Sequence, residues 1–431
     1  MTDRKVFKSA LLGESYERMT LPCGLDIYVF KKDLTTTYAI LGVKYGSVHS
    51  RFAASQEEEL KAVPDGVAHF LEHKLFMNED GSDSFERFSE YGADANAYTS
   101  FNKTAYLFSC TENFEESLGE LLRFVTHPYF TAESVNSEKG IIAEEIKMYD
   151  DNPSDRCFYG MLEGMYENHS IRKNICGSVA SISEITPDIL YRCYNTFYNP
   201  ENMVLVVCGN IDTDTVIRIA EREMPSSRSP FLAKTDNENI SEAPSAFCGY
   251  VEQKMQVSKP IFNIGFKDTN IPALPSDRQK KDAVMAILDE MIFSRAGRLY
   301  EHLFENGLIS PNMSYGYTIS ATSAYNSIAG ESDDPKKVLS EIFDYIDKLK
   351  AQGLSYDDFL RGKRVMYAEF VKSFDSTENI ANNLLSFIFE ESEILSYADI
   401  IESVTFEDVI KIFEKAFDPT SVSLSVILPL E

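Results

Sequence analysis

Two histidines and a glutamate stand together in PDGVAHFLEHKLF, residues 64–76. His69 and His73 are four positions apart, and Glu72 lies between them. On an α-helix, positions i and i+4 share a face, so both imidazoles can reach one ion. Two neutral imidazoles suit Zn2+ and leave room for a third ligand and a water. Zinc draws that water's pKa towards neutrality, and a carboxylate on the same helix face can then take its proton. The order H-x-x-E-H inverts the commoner H-E-x-x-H zinc motif. With six His in the chain, the pattern arises by chance on the order of 0.01 times. The flanks Val67, Ala68, Phe70, Leu71, Leu75 and Phe76 are apolar and predict a buried helix. Two His and a Glu on a buried helix must be satisfied, and metal ligation does that.

A catalytic zinc keeps three protein ligands and an open position, so a third ligand is expected from a separate helix. The segment SVNSEKGIIAEEIKMYDDNP, residues 134–153, has helical spacing. Glu138 and Glu145 are seven apart, almost two turns, and share a face with Ile141 and Ile142 between them and Met148 and Tyr149 beyond. A carboxylate on that apolar stripe needs a cation or a donor. Glu144 points about 100° away, where solvent can satisfy it. Glu145 is therefore the expected ligand, and Glu138 a neighbour that orients it or a histidine.

The elements that must carry these residues follow from periodicity. Helices are expected over 66–78, 83–91, 113–126 and 134–149, strands over 25–30 and 38–45, and a hairpin over 96–109 that turns at Asn102-Lys103. Clustered strands alternating with helices indicate an α+β fold. The chain also looks duplicated. Laid beside residues 404–425, residues 185–206 put Thr186 on Thr405, Arg192 on Lys411, Tyr194 on Phe413, Tyr198 on Phe417 and Pro200 on Pro419, all at an offset of 219. Two homologous domains are expected, residues 1–223 with the metal site and 246–431 without it. The Ser-, Pro- and Asn-rich stretch 224–245 joins them.

The charge balance excludes other classes. Lys and Arg number 41 against 68 Asp and Glu, a net charge of −27, which argues against nucleic acid and against an anionic membrane surface. The N-terminus has no apolar signal region, and no apolar run is long enough to span a bilayer. The seven Cys are widely spaced without a C-x-x-C pair, which suits free thiols in a reducing cytoplasm; no catalytic or metal role is assigned to them. His49, His127 and His169 lack a carboxylate at ligand spacing and are expected to be structural.

HFLEHKLF (69–76) resembles the zinc helix of the pitrilysin/insulinase family of zinc metallopeptidases, the inverzincins. EKGIIAEEIKMYDDNP (138–153) resembles the family's distal-glutamate helix, and residues 177–212 resemble the stretch that closes its first domain. The length matches the half-length, processing-peptidase type, closest to a YmfH-like bacterial branch. The resemblance implies two tandem LuxS/processing-peptidase-like sandwich domains, each an antiparallel sheet faced by helices. It implies a zinc endopeptidase cleaving short or unfolded peptides, with His69, His73 and Glu145 on Zn2+ and Glu72 as general base. It also implies that an extended peptide pairs with an edge strand at Asn96, Ala97, Tyr98 and Thr99, an interaction that reads backbone. One feature departs from the pattern. The family's Arg…Tyr pair in the second half is replaced, anchoring on Gly307, by Glu301 and Leu308, with Arg298 and Tyr300 nearby at the wrong spacing. A dimer is therefore expected with a second half-length subunit that carries the pair, the two chains enclosing a chamber. His302 is expected on a solvated helix face. The alternative is a non-catalytic assembly or peptide-binding subunit of the same fold, and fold alone does not separate the two.

Overall fold

The structure, a computed structural model, describes residues 4–55, 58–224, 234–235 and 240–430. Most of the expected linker, 225–233 and 236–239, lies outside the described residues. The chain forms two compact units. The first comprises Met1–Ile146, Asn174–Asn237 and Lys372–Ser396; the second comprises Lys147–Lys173, Glu238–Val371 and Tyr397–Glu431.

In the first unit, strands β1 (Lys5–Ser9), β2 (Glu14–Thr20), β3 (Asp26–Lys31) and β4 (Thr37–Val43) are followed by short strands β5 (Arg51–Ala53) and β6 (Lys61–Ala62). Then come the hairpin β7 (Asp94–Thr99) and β8 (Thr104–Cys110), β9 (Met203–Gly209) and the short β10 (Lys234–Thr235). The main sheet has the order β1-β2-β3-β9-β4-β8-β7, and a small sheet has the order β10-β5-β6. All main-sheet neighbours are antiparallel except β3 and β9. The centre of the sheet is apolar on both faces: every residue of β9 (MVLVVCG) is buried, as are six of the seven in β4. A strand with both faces covered reads as a continuous hydrophobic run rather than an alternation. β7 lies at the edge, and none of its residues is fully buried.

The second unit holds β11 (Tyr250–Met255), β12 (Ile261–Lys267), β13 (Ser314–Ile319), β14 (Ala324–Glu331) and β15 (Val422–Pro429), in the order β11-β15-β12-β14-β13. Only β11 and β15 are parallel. This repeats β3-β9-β4-β8-β7 strand for strand. The register repeats too: Leu205 faces Leu41 as Leu424 faces Ile264, and Leu205 and Leu424 are 219 positions apart. The duplication read from the helix–turn–strand segments thus extends to the sheets.

Helices α1 (Val67–Leu75), α2 (Ser84–Tyr91), α3 (Phe114–Thr126), α4 (Ala132–Asp150) and α5 (Pro153–Met165) follow in chain order, the first four matching the expected spans to within two or three residues. Neither unit is contiguous in sequence. α5 covers the second sheet, and its counterpart helix Thr377–Phe389 covers the first. A β-carbon on Gly42 of β4 would stand 2.6 Å from Leu385, and one on Gly265 of β12 would stand 2.6 Å from Met161. The two glycines occupy equivalent positions in the repeated register, each giving a packed helix room to lie on the strand. The divisions 1–223 and 246–431 therefore describe the repeat in the sequence, whereas the packing exchanges one helix each way. Among the described residues no helix is long and apolar enough to cross a membrane.

Candidate metal centre

α1 is nine residues long and buries Val67, Ala68, Phe70, Leu71 and Leu75 together with His69, Glu72 and Lys74. Because so much of this helix is packed, its polar side chains have little freedom. The rings of His69 and His73 stand 4.6 Å apart, centre to centre. α4 supplies the acids opposite. Glu145 places Oε1 3.6 Å from His69 Nε2 and Oε2 3.3 Å from His73 Nε2. Glu138 places Oε1 3.2 Å from His73 Nδ1 and Oε2 3.6 Å from the fully buried Lys74 Nζ. His73 is thus held at both nitrogens, with Nδ1 on one carboxylate and Nε2 turned towards the other. An outer carboxylate commonly orients a metal-binding imidazole in this way. Glu144 is exposed.

One part of the sequence reading needs correction. The buried residues of α4 are Val135, Glu138, Ile142 and Ile146, whereas Ile141 and Met148 are 57% and 60% exposed. The packed stripe runs at spacings of three and four from Val135, so Ile141 and Met148 fall outside it. Glu145 is half-buried at the border of that stripe.

Glu72 is buried, and it accepts a 2.5 Å hydrogen bond from Thr99 Oγ1 at the end of β7. Burial pushes its carboxyl above the usual range, against the pull of His69, the Thr99 hydrogen bond and His73. The Glu145 carboxyl lies far below the usual range because His69 and His73 donate to it. Burial disfavours a charged His73, but hydrogen bonds to Glu138 and Glu145 and the charge of Glu72 outweigh it and hold its pKa up at about 10. The same carboxylates that favour a proton on His73 would favour a divalent cation in that proton's place. The spacing fits as well. A tetrahedral ion with ligands at about 2.0–2.1 Å has vertices about 3.3–3.4 Å apart, close to the 3.3 and 3.6 Å between Glu145 and the two imidazoles.

Two neighbours escaped the sequence reading. Cys176 Sγ lies 3.9 Å from His69 Nε2, and His69, Glu145 and Cys176 offer ligand atoms within 4.8 Å of one another. Thr99, expected at the strand edge, also donates to Glu72, a bond with no sequence signal. Neither contact follows a spacing rule, because each joins segments far apart in the chain. The remaining candidates lie as follows. Asn96, Ala97, Tyr98 and Thr99 form the outermost strand, and Tyr98 Oη donates to Asn382 Oδ1 at 3.0 Å. Glu301 lies in helix Arg298–Glu305 of the second unit. His302 is on the exposed side of that helix, 2.9 Å from Glu341. His169 is buried and His49 partly buried; each accepts from a backbone N–H group at Nδ1, and desolvation lowers both to about 4.

A repeated α+β unit with H-x-x-E-H on one helix and a distal glutamate on another defines an inverzincin. The chain belongs to the insulinase family, peptidase family M16: the family's pattern matches residues 55–178, and that of the peptidase M16 inactive domain matches 184–366. It is 38% identical over 423 residues to the zinc protease YmfH of Bacillus subtilis, covering 97% of both chains. It is 26% identical to a zinc protease of Rickettsia felis, covering 97% of this chain and 98% of that one. Among solved structures, an M16-like peptidase from Alicyclobacillus acidocaldarius superposes with a TM-score of 0.91 at 29% identity, over 100% of this chain and 99% of that one. A Helicobacter pylori protease shares the fold, with a TM-score of 0.83 at 16% identity over 96% of this chain and 100% of the other.

Proposed function

We propose that this chain is a zinc-dependent endopeptidase that cleaves short or unfolded peptides in the cytoplasm, as the catalytic half of a two-chain enzyme. The observation that carries the reading is the convergence of His69, His73, Glu145 and Glu72 from two helices beside the end of an edge strand. The names of its relatives as zinc proteases support zinc as the ion. His69, His73 and Glu145 would hold it, and Glu138 would fix His73 through Nδ1. Bound zinc supplies Lewis acidity towards water and the scissile carbonyl. Glu72 takes the proton of the attacking water and returns it to the leaving amine. Burial favours its protonated form, which suits a group that must donate a proton as well as accept one. Thr99 aims the Glu72 carboxylate, and the same strand offers its free edge to the peptide at Asn96–Thr99, so binding and chemistry meet at one residue.

The alternative of a non-catalytic subunit explains neither the complete donor set nor a buried carboxylate beside it, since burying such groups is costly without a use for them. The test is cleavage of a mixed library of flexible peptides by the purified chain, with its zinc measured. Chelation should abolish cleavage and zinc should restore it. Zinc-replete protein inert towards every peptide, alone and with candidate partners, would favour the binding subunit.

A further inference from the structure

Lys74 follows the second histidine in HFLEHKLF and is fully buried in α1. Taking an ammonium out of water is costly, and an apolar side chain would fill the same space without that cost. The charge of Lys74 must therefore be answered where it lies. Among the described residues its Nζ has two polar neighbours, Glu138 Oε2 at 3.6 Å and Met77 Sδ at 3.6 Å. A thioether is only a weak acceptor, so Glu138 is the counter-ion.

Glu138 has a second commitment. Its other oxygen, Oε1, lies 3.2 Å from His73 Nδ1, and His73 Nε2 lies 3.3 Å from Glu145 Oε2. One carboxylate thus spends one oxygen on Lys74 and the other on His73. The two histidines differ in what holds them. The His69 side chain is 9% exposed, so packing fixes its ring, and its Nδ1 has no hydrogen-bond partner. The His73 side chain is 26% exposed, so packing restrains it less and the contact at Nδ1 must orient it. The last torsion of a glutamate is soft, and a carboxylate held at one oxygen can turn. Held at Oε2 by the ammonium, Glu138 presents Oε1 to His73 in one direction. Lys74 and His73 are adjacent in the last turn of α1, which brings both to the same carboxylate.

We propose that Lys74 is a positioning residue of the metal centre: it pins Glu138, which in turn holds His73 with Nε2 towards the metal. The inference rests on reading His69, His73 and Glu145 as metal ligands. Lys74 touches neither the metal nor the substrate and acts through two other side chains. Its charge alone would have the contrary effect. A cation near a metal site repels the metal, so if charge were all that mattered, removing Lys74 would tighten zinc binding. Positioning predicts that removing it weakens zinc binding.

The test is a double-mutant cycle on the full chain, read as zinc affinity by competition with a chelator. Lys74→Met removes the charge and keeps an unbranched side chain in the core; zinc affinity should fall about tenfold. Glu138→Gln should cost about the same, because an amide has one acceptor oxygen and cannot serve both Lys74 and His73. The double variant should bind zinc no more weakly than the weaker single variant, since both changes break one chain of contacts. Unchanged or tighter zinc binding by Lys74→Met overturns the proposal, even if its unfolding temperature falls. Losses that multiply in the double variant overturn it too, because a lysine that only packed the core would act independently of Glu138. If Lys74→Met does not fold, Lys74→Gln takes its place in the cycle. Unchanged zinc affinity in Glu138→Gln overturns the proposal without any Lys74 variant. An unaltered chain that binds no zinc overturns the metal centre itself.

Discussion

Glu72 and Glu145 are carboxylates around the same pair of imidazoles, and their surroundings drive them apart. Glu72 is buried and its pKa is raised; Glu145 is half-buried, accepts from both histidines and is depressed. Such divergence separates a group that exchanges protons from one that stays an anion and binds a cation. Glu145→Gln should therefore weaken zinc binding and abolish cleavage, whereas Glu144→Gln, one residue away but exposed, should change neither by more than about twofold. Metal analysis with parallel rate measurements checks the ranking, and the opposite order would make Glu144 the ligand. At this scale the sequence was legible where helical spacing links residues: His69 to His73, and Glu138 to Glu145. It was silent on Cys176, because the contact between residues 176 and 69 obeys no period and depends on the conformations of two glycines.

Two element-level devices hold the site, and each can be tested. The first is the end of β7. The Thr99 hydrogen bond lowers the pKa of Glu72 against the effect of burial, so removing it must raise that pKa. A general base works only when ionised, so the acid limb of the pH profile of kcat/KM is expected at higher pH in Thr99→Val. An unmoved limb with intact zinc would break the link between Thr99 and Glu72. The second device is the close backbone contact of Gly66, at the start of α1 with φ 90°, with residues 176–177, where Gly177 has φ 74° and a β-carbon would stand 2.4 Å from Asp65 O. Gly66→Ala puts a β-carbon 2.3 Å from Cys176 O at a positive φ, strain of order 1–3 kcal/mol, and should lower both the unfolding temperature and the affinity for zinc. Calorimetry and zinc titration read both effects. Element spans were legible because apolar periodicity marks them: α1, α2, α3 and α4 fall where the spacing put them. The face of α4 was less legible. Ile141 and Met148 look like core in the sequence, but the helix packs along Val135, Ile142 and Ile146, and only the neighbouring elements determine that rotation.

For the whole molecule, the 219-residue offset visible in two short segments turned out to organise both sheets, down to the register of Leu205 and Leu424. The exchange of α5 for helix Thr377–Phe389 was not legible, since an amphipathic helix does not encode which of two similar sheets it covers. The second half carries the repeat but not the H-x-x-E-H motif, and it has Glu301 and Leu308 where the family resemblance calls for Arg and Tyr. Donors of that kind are typically worth ~10²–10³ in rate. Adding a second half-length chain that carries the pair should raise turnover of a flexible peptide by about that factor. Full activity from this chain alone, unchanged by the addition, would show that the missing pair is unnecessary or replaced locally.

The central claim is that Glu72 moves the proton at a zinc centre, and one variant tests it most directly. Glu72→Gln keeps the shape and can still accept the Thr99 hydrogen bond, but it cannot take a proton. Turnover of a flexible peptide should fall by at least ~10²-fold, the usual scale for a general base, with zinc per chain unchanged. Cleavage at the unaltered rate by pure, zinc-loaded Glu72→Gln would contradict the account.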